Sequence, residues 1–429
     1  MYSFVLMLRD WILNGNRHWF VIFYIFILLR WIVVFLPSLR YKGYQCENKD
    51  FFVTVIVPVL DEPVDFFRTV LTKVLEQKPD ELIVVVNGPE DPSFMAEIRR
   101  LAEDWRSAPE HAGIEIRILY TPVPGKRNAI RLGLEQMNKR SDITVLVDSD
   151  VLWTENTLKN LLMPFSADEN IGGVTTRQKI YHPGRAFVTM VAAILEELRA
   201  EGTMKAMSAT GKVGCLPGRT IAFRTGILRQ ILPEFLTETF MGLHKEVSDD
   251  RSLTNLTLKL GYKTVMQDSA VVYTDAPTTW KKFVRQQLRW AEGSQYNNLR
   301  MTPWMARHAP LMLTIYWMDM LLPFMLFSVF NDIVLCAVFR ALGYSIPGVE
   351  IAQPFLMVVL LIILGSIVGF GGRNYRSFLR MPLYYILFIP MLTLVLSLVL
   401  APIRILGLMK CADDLGWGTR SVGKETDNA

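Results

Sequence analysis

Residues 143–150 read Ile-Thr-Val-Leu-Val-Asp-Ser-Asp (ITVLVDSD), a short apolar run that ends in two carboxylates. A continuous run of aliphatic and β-branched residues is typical of a buried strand in a parallel sheet. The acidic residues after it predict a polar loop at the carboxyl end of that strand, where ligands bind in open α/β sheets. A turn that merely ends a strand uses the same residue types, so the motif alone leaves both interpretations open.

The chain before this strand alternates between strand-like and helix-like segments. Strands are expected at 52–59, 81–86 and 114–120, and helical periodicity follows at 66–76, 98–105 and 126–137. This order predicts a parallel, doubly wound, Rossmann-like sheet. Asp61 and Glu62 follow the first strand and Asn87 follows the second. We therefore expect these side chains at the same sheet edge as Asp148 and Asp150.

Composition indicates that part of the chain lies in lipid. Of the 429 residues, 51% are hydrophobic, which is more apolar surface than a soluble enzyme of this length needs. Apolar stretches at 18–36, 311–339, 351–370 and 382–406 are each long enough to span a bilayer. The net charge of +5 is modest, and no nucleic-acid partner is expected. The four cysteines show no metal-ligand spacing, and disulfides are not expected.

These patterns divide the chain into six segments. They are an interfacial helix (1–16), a transmembrane anchor (17–38), a cytosolic α/β domain (50–276), amphipathic interfacial helices (277–308), transmembrane helices (309–408) and a cytosolic C-terminal segment (409–429). One span before the domain and three after it would leave the C-terminal segment on the opposite side. Either the long stretch 311–339 breaks at Leu322-Pro323, or the C-terminal segment cannot reach the cytosolic domain. We expect the break, because the stretch is longer than the ~20 residues that one span needs.

The acidic loop after residue 147 suits a divalent metal ion. Asp148 and Asp150 are carboxylates of the kind that hold Mg²⁺ or Mn²⁺, which also bind substrate phosphates. Such an ion neutralises the charge that develops on a departing nucleoside diphosphate. Lys126 and Arg127 open a predicted helix, and a helix N-terminus with two cations would attract the same diphosphate. A solvated first helical turn has the same composition.

Residues 248–251, Ser-Asp-Asp-Arg, contain a second pair of carboxylates. A carboxylate within hydrogen-bond reach of an acceptor hydroxyl could remove its proton as a general base. The same residues also suit the N-cap and first turn of a helix expected at 253–258. The loop 212–218, with two glycines and Cys215, could admit an acceptor sugar or be a plain turn.

The segment 277–308 contains the pattern Gln286-x-x-Arg289-Trp290. These three side chains share one face of a helix, because residues three and four apart are neighbours. Arginine pairs with phosphate, and tryptophan offers a flat ring to a sugar. The basic and aromatic residues around them are equally typical of an amphipathic helix on a membrane surface, and the two interpretations are compatible.

Taken in order, four motifs resemble those of the processive family 2 membrane glycosyltransferases, which include hyaluronan, cellulose and chitin synthases. The motifs are Asp148-Ser149-Asp150, Asp249-Asp250-Arg251, Gln286-x-x-Arg289-Trp290 and Trp417-Gly418-Thr419-Arg420. Longer runs such as 123–130, 172–180, 211–223 and 245–258 resemble the capsular polysaccharide synthases within that family. The resemblance implies a GT-A-like α/β domain in the cytosol joined to α-helical transmembrane segments. It also implies a multi-pass protein of a bacterial plasma membrane.

The resemblance further implies an activity. UDP-glucose and UDP-glucuronic acid would serve alternately as donors in an inverting displacement. The product would be a β-linked polysaccharide that remains bound as the growing acceptor and leaves through the transmembrane region. The bilayer, and a lipid primer, would be further partners, and Mg²⁺ or Mn²⁺ the cofactor.

Roles for single residues follow from the same resemblance. Asp250 would be the general base with Asp249 beside it, and Asp150 would bind the metal ion together with Asp148. The nucleotide-sugar donor would contact Asp61, Glu62, Asn87, Lys126, Arg127, Asp148, Gln286, Arg289, Trp290, Trp417 and Arg420. The acceptor would contact Cys215, Gly218, Arg219 and Trp290.

Two features of the chain qualify this assignment. Asn87 stands where many family members carry an aspartate, although an amide can still hydrogen-bond to uracil. A glucuronate carboxylate would need an arginine or lysine partner, and Arg177, Lys179 and Arg219 are candidates.

Other activities remain open from the sequence. One is a hyaluronan- or chitin-type synthase that uses UDP-N-acetylglucosamine, and another is transfer of a single sugar to a lipid acceptor. A transporter with a nucleotide-sensing domain is a third. The Gln286-x-x-Arg289-Trp290 motif and the apolar spans after it favour repeated sugar addition.

Overall fold

The computed structural model of the protein describes residues 17–343 and 395–412. Several predicted segments lie outside these residues. They are the interfacial helix at 1–16, the span at 351–370, the first part of the span at 382–406 and the motif Trp417–Arg420.

The strands form one large sheet and a small hairpin. They are β1 (Val53–Val59), β2 (Glu81–Asn87), β3 (Glu115–Thr121), β4 (Ile143–Val147), β5 (Val151–Trp153), β6 (Ile171–Ile180), β7 (Thr220–Arg224), β8 (Thr239–Phe240), β9 (Leu243–His244) and β10 (Lys263–Thr274). The large sheet has eight strands in the order β3-β2-β1-β4-β7-β6-β10-β5, and β8 pairs with β9.

The first four strands of the sheet confirm the predicted parallel arrangement. β3, β2, β1 and β4 run parallel to their neighbours. β7, however, is antiparallel to both β4 and β6, and β5 is antiparallel to β10. The prediction of a parallel sheet is therefore correct for these four strands and wrong for the sheet as a whole, which is mixed. Strand patterns in a sequence report burial and not strand direction, so the reversal at β7 left no signal.

Helices lie between and after these strands. They are α1 (Arg17–Leu39), α2 (Val64–Leu75), α3 (Pro92–Ser107), α4 (Lys126–Gln136), α5 (Thr157–Ala167), α6 (Phe187–Arg199), α7 (Lys205–Ser208), α8 (Thr225–Leu236), α9 (Asp249–Lys259), α10 (Trp280–His308), α11 (Pro310–Ala341) and α12 (Ala401–Met409). Short π-helical segments precede α7 and α12.

Helices cover both faces of the sheet, as the doubly wound prediction requires. Alternate residues of β1 point to opposite faces, so Val55 joins one hydrophobic core and Ile56 the other. The first core includes Phe67 of α2, and the second includes Ile130 of α4 and Phe235 of α8. The sheet is therefore buried on both sides, and its carboxyl edge remains available for a site.

The apolar helices pack against this domain. The ion pair between Arg30 Nη2 and Asp319 Oδ1, 2.7 Å apart, joins α1 to α11. Within the described residues, the segment Pro310–Ser328 of α11 is long and apolar enough to cross a membrane, while Ile25–Leu39 and Leu398–Met409 are shorter apolar helices. The predicted break at Leu322-Pro323 is wrong, because α11 continues through Pro323 as one helix. A proline removes one backbone hydrogen bond, which this long apolar helix tolerates.

Helix α12 lies unusually close to α10. A Cβ atom added at Gly407 would stand 3.0 Å from the Ala291 backbone carbon and 3.0 Å from the Glu292 nitrogen. Backbone atoms cannot move aside as side chains do, so only glycine permits this approach. The contact fixes the C-terminal apolar helix against the helix that carries Gln286, Arg289 and Trp290.

We expect Gly407→Ala to destabilise the protein. Overpacking against backbone costs about 1–3 kcal/mol, which exceeds the gain of up to about 1 kcal/mol from replacing glycine inside a helix. The melting temperature of the detergent-solubilised protein should fall. Gly226→Ala is the matched control, because Gly226 is also helical and its added Cβ meets no atom within 4 Å. Equal melting temperatures for the two variants would contradict the close packing of α12.

Candidate active site

A cavity of about 1790 Å³ opens at the carboxyl edge of the sheet. Its lining begins at Asp61 and Asn87 after the first two strands and continues past Asp150 and Asp250. The same cavity then reaches residues of the apolar helices, including Asp319 of α11 and Arg404 of α12. The predicted sheet-edge residues are thus brought together, and their cavity extends between the apolar helices.

Asn87 holds two loops of this edge together. Its Nδ2 donates a hydrogen bond to the Val59 carbonyl oxygen at 2.9 Å, and its Oδ1 accepts one from the Gly125 nitrogen at 3.1 Å. Gly125 has a φ of +134°, which favours glycine. Asn87 lines the cavity, but the structure gives its amide the further task of fixing the turn before α4.

The acidic loop after β4 faces the cavity. Asp148, Ser149 and Asp150 all line it. Lys126 Nζ donates a hydrogen bond to Asp148 Oδ1, and Ser149 Oγ donates one to Glu62 Oε1 at 2.9 Å. The loop is therefore hydrogen-bonded to Lys126 and Glu62, two residues that were predicted to lie with it at the donor site.

The donor atoms of this loop fit a divalent cation that also binds substrate phosphates. Within residues 17–343 and 395–412, no group of three or more acidic, histidine or cysteine side chains could by itself hold a metal ion. Two carboxylates on one short loop are instead the oxygen set expected of Mg²⁺, which keeps waters and phosphate oxygens as its other ligands.

Lys126 lies at the centre of the acidic residues. It lines the cavity, whereas Arg127 does not. Burial disfavours its charge, but Asp148, Asp249 and Asp250 outweigh that effect and raise the pKa of the Lys126 ammonium. Lys126 therefore stays charged at neutral pH and is the cation that could meet a diphosphate.

Arg127 points away from the cavity into the protein. Its Nε donates to Asp249 Oδ1 at 2.8 Å, and its Nη2 donates to Glu238 Oε2 at 2.9 Å. The guanidinium also stacks over the Phe235 ring, 4.5 Å from the centroid. The predicted contact of Arg127 with the donor is thus corrected, because its donors are used to hold Asp249.

Asp249 and Asp250 form the first turn of α9. Ser248, which precedes them at a φ of +69°, makes no capping hydrogen bond with its side chain. Asp250 Oδ2 accepts a hydrogen bond from the Gly218 nitrogen at 3.2 Å. Burial raises the pKa of Asp249 although Arg127 and Lys126 act in the opposite direction. The helix-start interpretation is therefore correct, and it also places Asp250 in the cavity.

The loop 212–218 passes directly over Asp250. A Cβ atom at Gly218 would lie 3.3 Å from the Asp250 Cβ and 3.3 Å from Lys126 Nζ. Cys215 Sγ lies 3.8 Å from Asp250 Oδ2. Burial, and next the Asp250 charge, raise the pKa of the Cys215 thiol, so it remains protonated at neutral pH. Cys215 and Gly218 both line the cavity, and their contact with an acceptor stays a prediction.

Gln286, Arg289 and Trp290 also line the cavity from α10. The Trp290 side chain is 40% exposed, and its ring lies 5.7 Å from the Arg219 guanidinium carbon. Arg219 is bonded to Gln178 Oε1 at 2.6 Å and lies 3.1 Å from Glu196 Oε2. The predicted acceptor residues Arg219 and Trp290 are therefore neighbours, and Glu196 balances the arginine charge.

Arg177 and Lys179, two of the proposed partners of a uronate carboxylate, lie outside the cavity lining. Arg177 is buried and pairs with Glu201 and Asp268, each at 2.6 Å, and with Glu197. Lys179 is exposed, and neither Arg177 nor Lys179 lines the cavity. Both predictions are corrected: strand β6 alternates its side chains, and odd-numbered residues of this stretch face away from the cavity.

Among the charged residues of the site that carry no signal in the sequence, three matter most for its electrostatics. Glu196 and Arg404 line the cavity, and Glu238, which does not line it, forms an ion pair with Arg127. None stands in a motif, and each becomes relevant through a contact with an element distant in sequence. Trp417 and Arg420, by contrast, were predicted and lie outside the described residues.

Comparison with known proteins identifies the coarser part of the predicted resemblance, the glycosyltransferase family. The family described as "Glycosyltransferase like family 2" matches residues 50–293. An N-acetylglucosaminyltransferase of Rhizobium meliloti is 28% identical over 215 residues, which are 48% of this chain and 50% of the relative. Hyaluronan synthase of Streptococcus pyogenes is 26% identical over 62% of each chain. Hyaluronan synthase 3 of Mus musculus is 24% identical over 43% of this chain and 33% of its own length.

A solved structure has a similar fold. It is a mannosyltransferase from Pyrobaculum calidifontis in complex with GDP-Man and Mn²⁺, with a TM-score of 0.57 and 18% identity. The match covers 88% of this chain and 95% of that chain. At this identity the likeness concerns the fold, and it confirms a GT-A-like glycosyltransferase fold built on a mixed sheet.

The chain spans about a third to two thirds of the length of these curated relatives. The family match, in contrast, covers more than half of this chain and contains the residues from Asp61 to Trp290 that line the cavity. The chain belongs to the family 2 glycosyltransferases.

Proposed function

We propose that this protein is a processive, inverting glycosyltransferase that polymerises sugars from UDP-linked donors at a bacterial plasma membrane. One observation carries the proposal. A single cavity joins the acidic loop of β4, the Asp250 carboxylate and Trp290, and then continues between apolar helices. A transferase that released each product would need only the first part of this cavity.

The donor would lie at the sheet edge. Lys126 and the N-terminus of α4 would attract the diphosphate of the donor. Asp150 and Asp148 would hold Mg²⁺ or Mn²⁺, which would neutralise negative charge on the departing UDP. Asp61, Glu62 and Asn87 line the part of the cavity beyond them and would border the nucleoside.

Asp250 would act as the general base. Its Oδ2 accepts the Gly218 N–H and its Oδ1 accepts the Arg251 N–H, so the carboxylate is fixed where the acceptor loop meets the cavity. A carboxylate in this place can take the proton of an acceptor hydroxyl as that oxygen attacks the anomeric carbon. Attack from the side opposite the departing UDP inverts the configuration.

The acceptor would occupy the cavity between the loop 212–218 and α10. Trp290 offers an exposed ring on which a sugar can stack, and Cys215, Gly218 and Arg219 line the same cavity. Gln286 and Arg289 lie on the same face of α10 and would contact the donor pyrophosphate. Contact of Trp417 and Arg420 with the diphosphate, which the family resemblance implies, would require an even number of spans after the domain. The polymer would leave between α1, α11 and α12.

Two donor sets are open, each on a different ground. The resemblance of the runs at 211–223 and 245–258 to capsular polysaccharide synthases stays a prediction from the sequence, and it leads us to UDP-glucose with UDP-glucuronic acid. The similarity to an N-acetylglucosaminyltransferase and to hyaluronan synthases favours UDP-N-acetylglucosamine as the first donor. We propose the glucose–glucuronate product and retain the second set as the alternative.

Incubation of membranes with pairs of radiolabelled donors tests this proposal. Polymer should form with UDP-glucose plus UDP-glucuronic acid, and neither donor alone should give long chains. Digestion of the product by linkage-specific glycosidases would identify the repeat. Polymer formed only when UDP-N-acetylglucosamine is present would reject the glucose–glucuronate product and establish the alternative.

Asp250→Asn should abolish polymer synthesis. Loss of a general base lowers turnover by about 10²–10⁴-fold, while the amide keeps the volume of the side chain. UDP binding, measured by calorimetry, should remain near that of the natural protein. Asp104→Asn, an exposed change on α3, is the control and should be fully active. Turnover by Asp250→Asn within tenfold of the natural rate would exclude this residue as the base.

Asp150→Ala should weaken the dependence of UDP binding on divalent cations. Chelation with EDTA should stop synthesis by the natural protein, and Mn²⁺ or Mg²⁺ should restore it, because the ion is shared between the protein and the diphosphate. Calorimetry should show that Mn²⁺ tightens UDP binding to the natural protein and has little effect on Asp150→Ala. The exposed Asp65→Ala is the control. Equal enhancement by Mn²⁺ in Asp150→Ala would exclude Asp150 as a ligand.

A further inference from the structure

Arg404 lies on α12 and lines the part of the cavity between the apolar helices. Its side chain is exposed, and this surface is within the cavity. Neighbouring residues of the lining, such as Leu400, Ile403 and Met320, are apolar. Arg404 therefore presents a permanently charged group to an internal space with apolar walls.

The other arginines near it have partners. Arg30 is paired with Asp319 at 2.7 Å, and Arg199 lies 3.6 Å from Glu196. Arg251 donates to Asn298 Oδ1 at 2.6 Å and lies over the Tyr316 ring at 5.1 Å. Each of these guanidiniums is thus held by a side chain of the protein.

Arg404 differs from them. Among residues 17–343 and 395–412 it has no hydrogen bond or ion pair. Asp319 attracts Arg404 electrostatically, but the contact of Asp319 is with Arg30. Among the described residues, the four arginines of this part of the cavity contact two carboxylates, Asp319 and Glu196, and a charge without a partner in apolar surroundings is unfavourable. An anion that enters the cavity would remove this cost.

The position of Arg404 relates it to the acceptor. Gly407 packs against Ala291, which directly follows Trp290. Arg404 precedes Gly407 by about one helical turn. Arg404 and Trp290 are therefore carried by adjacent helices in close contact, and both face the same cavity.

We propose that Arg404 forms a carboxylate-binding subsite for the uronic acid residues of the nascent polysaccharide. The proposal rests on the proposed function, which places the acceptor in this cavity. A guanidinium binds a carboxylate through two parallel hydrogen bonds. Arg404 thus takes the role first considered for Arg177 and Lys179, which do not line the cavity, and for Arg219, which Glu196 balances.

Binding of a matched pair of oligosaccharides tests the subsite. One is a tetrasaccharide of alternating β-linked glucose and glucuronate, and the other is its carboxyl-reduced form, in which each uronate has become glucose. Calorimetry with the full-length protein in lipid nanodiscs should show tighter binding of the acidic form by about tenfold. Arg404→Gln should remove this preference and leave binding of the reduced form unchanged.

Two further variants complete the experiment. Arg404→Lys keeps the charge and should retain part of the preference, because lysine lacks the planar fork. Arg307→Gln makes the same chemical change at an exposed residue of α10 outside the cavity lining, and its preference should match that of the natural protein. If Arg404→Gln does not fold, Arg404→Met takes its place as an uncharged, unbranched side chain.

Two results would overturn the subsite. One is equal binding of the acidic and reduced tetrasaccharides by the natural protein, and the other is a preference that persists in Arg404→Gln. The measurement requires no sugar transfer. Failure to make polymer from UDP-glucose and UDP-glucuronic acid would therefore count against the proposed function while leaving the binding preference to decide the subsite.

Discussion

The site depends on one electrostatic constraint, the convergence of three carboxylates on the Lys126 ammonium. Asp148 comes from the end of β4, while Asp249 and Asp250 come from the start of α9, and their charges raise the pKa of Lys126. Folding brings these like charges together at an edge that is partly closed to water, where repulsion is strong. Because the pKa of Lys126 is raised on folding, its charge stabilises the folded protein at every pH below the ordinary lysine pKa. This stabilisation is lost only as the pH rises through the raised pKa. The cluster is therefore held together throughout neutral pH.

A second set of charged residues, outside the cavity lining, holds Asp249 in place. Glu238 is fully buried and lies 2.6 Å from Arg300 and 2.9 Å from Arg127, which in turn holds Asp249. Truncating one member of such a network leaves a buried charge without a partner, which is costly. The position of Asp249 thus follows from residues of α4, the segment after α8 and α10 together. Arg127 directly follows Lys126, which lines the cavity, but Arg127 does not line it because its guanidinium is paired with Glu238 and Asp249.

Much of this arrangement could be predicted from the sequence, and the rest could not, for physical reasons. The four parallel strands follow from local runs of β-branched residues, and the sheet edge followed from chain order. Strand β7 reverses direction, and Arg127 and Arg177 turn inward, because those outcomes depend on partners distant in sequence. A motif fixes which residue types are present, while the face of a helix or strand on which each one lies is decided by packing. Glu238 and Arg404 lie in no motif, so only the fold relates them to the site.

The same packing couples the loop 212–218 to the apolar helices. A Cβ atom at Gly214 would lie 2.5 Å from the Met312 sulfur of α11, so the loop that reaches Asp250 through Gly218 rests directly on that helix. On the other side, Gly407 brings α12 against α10 immediately after Trp290. At Gly407 the atoms in the way are backbone atoms, so only glycine allows that approach; at Gly214 they are side-chain ends, and a larger residue would have to displace them. The carboxylate that would remove the proton and the helices that would guide the product are consequently parts of one packed unit. A polysaccharide extended at Asp250 would enter the space between α1, α11 and α12 without leaving the cavity.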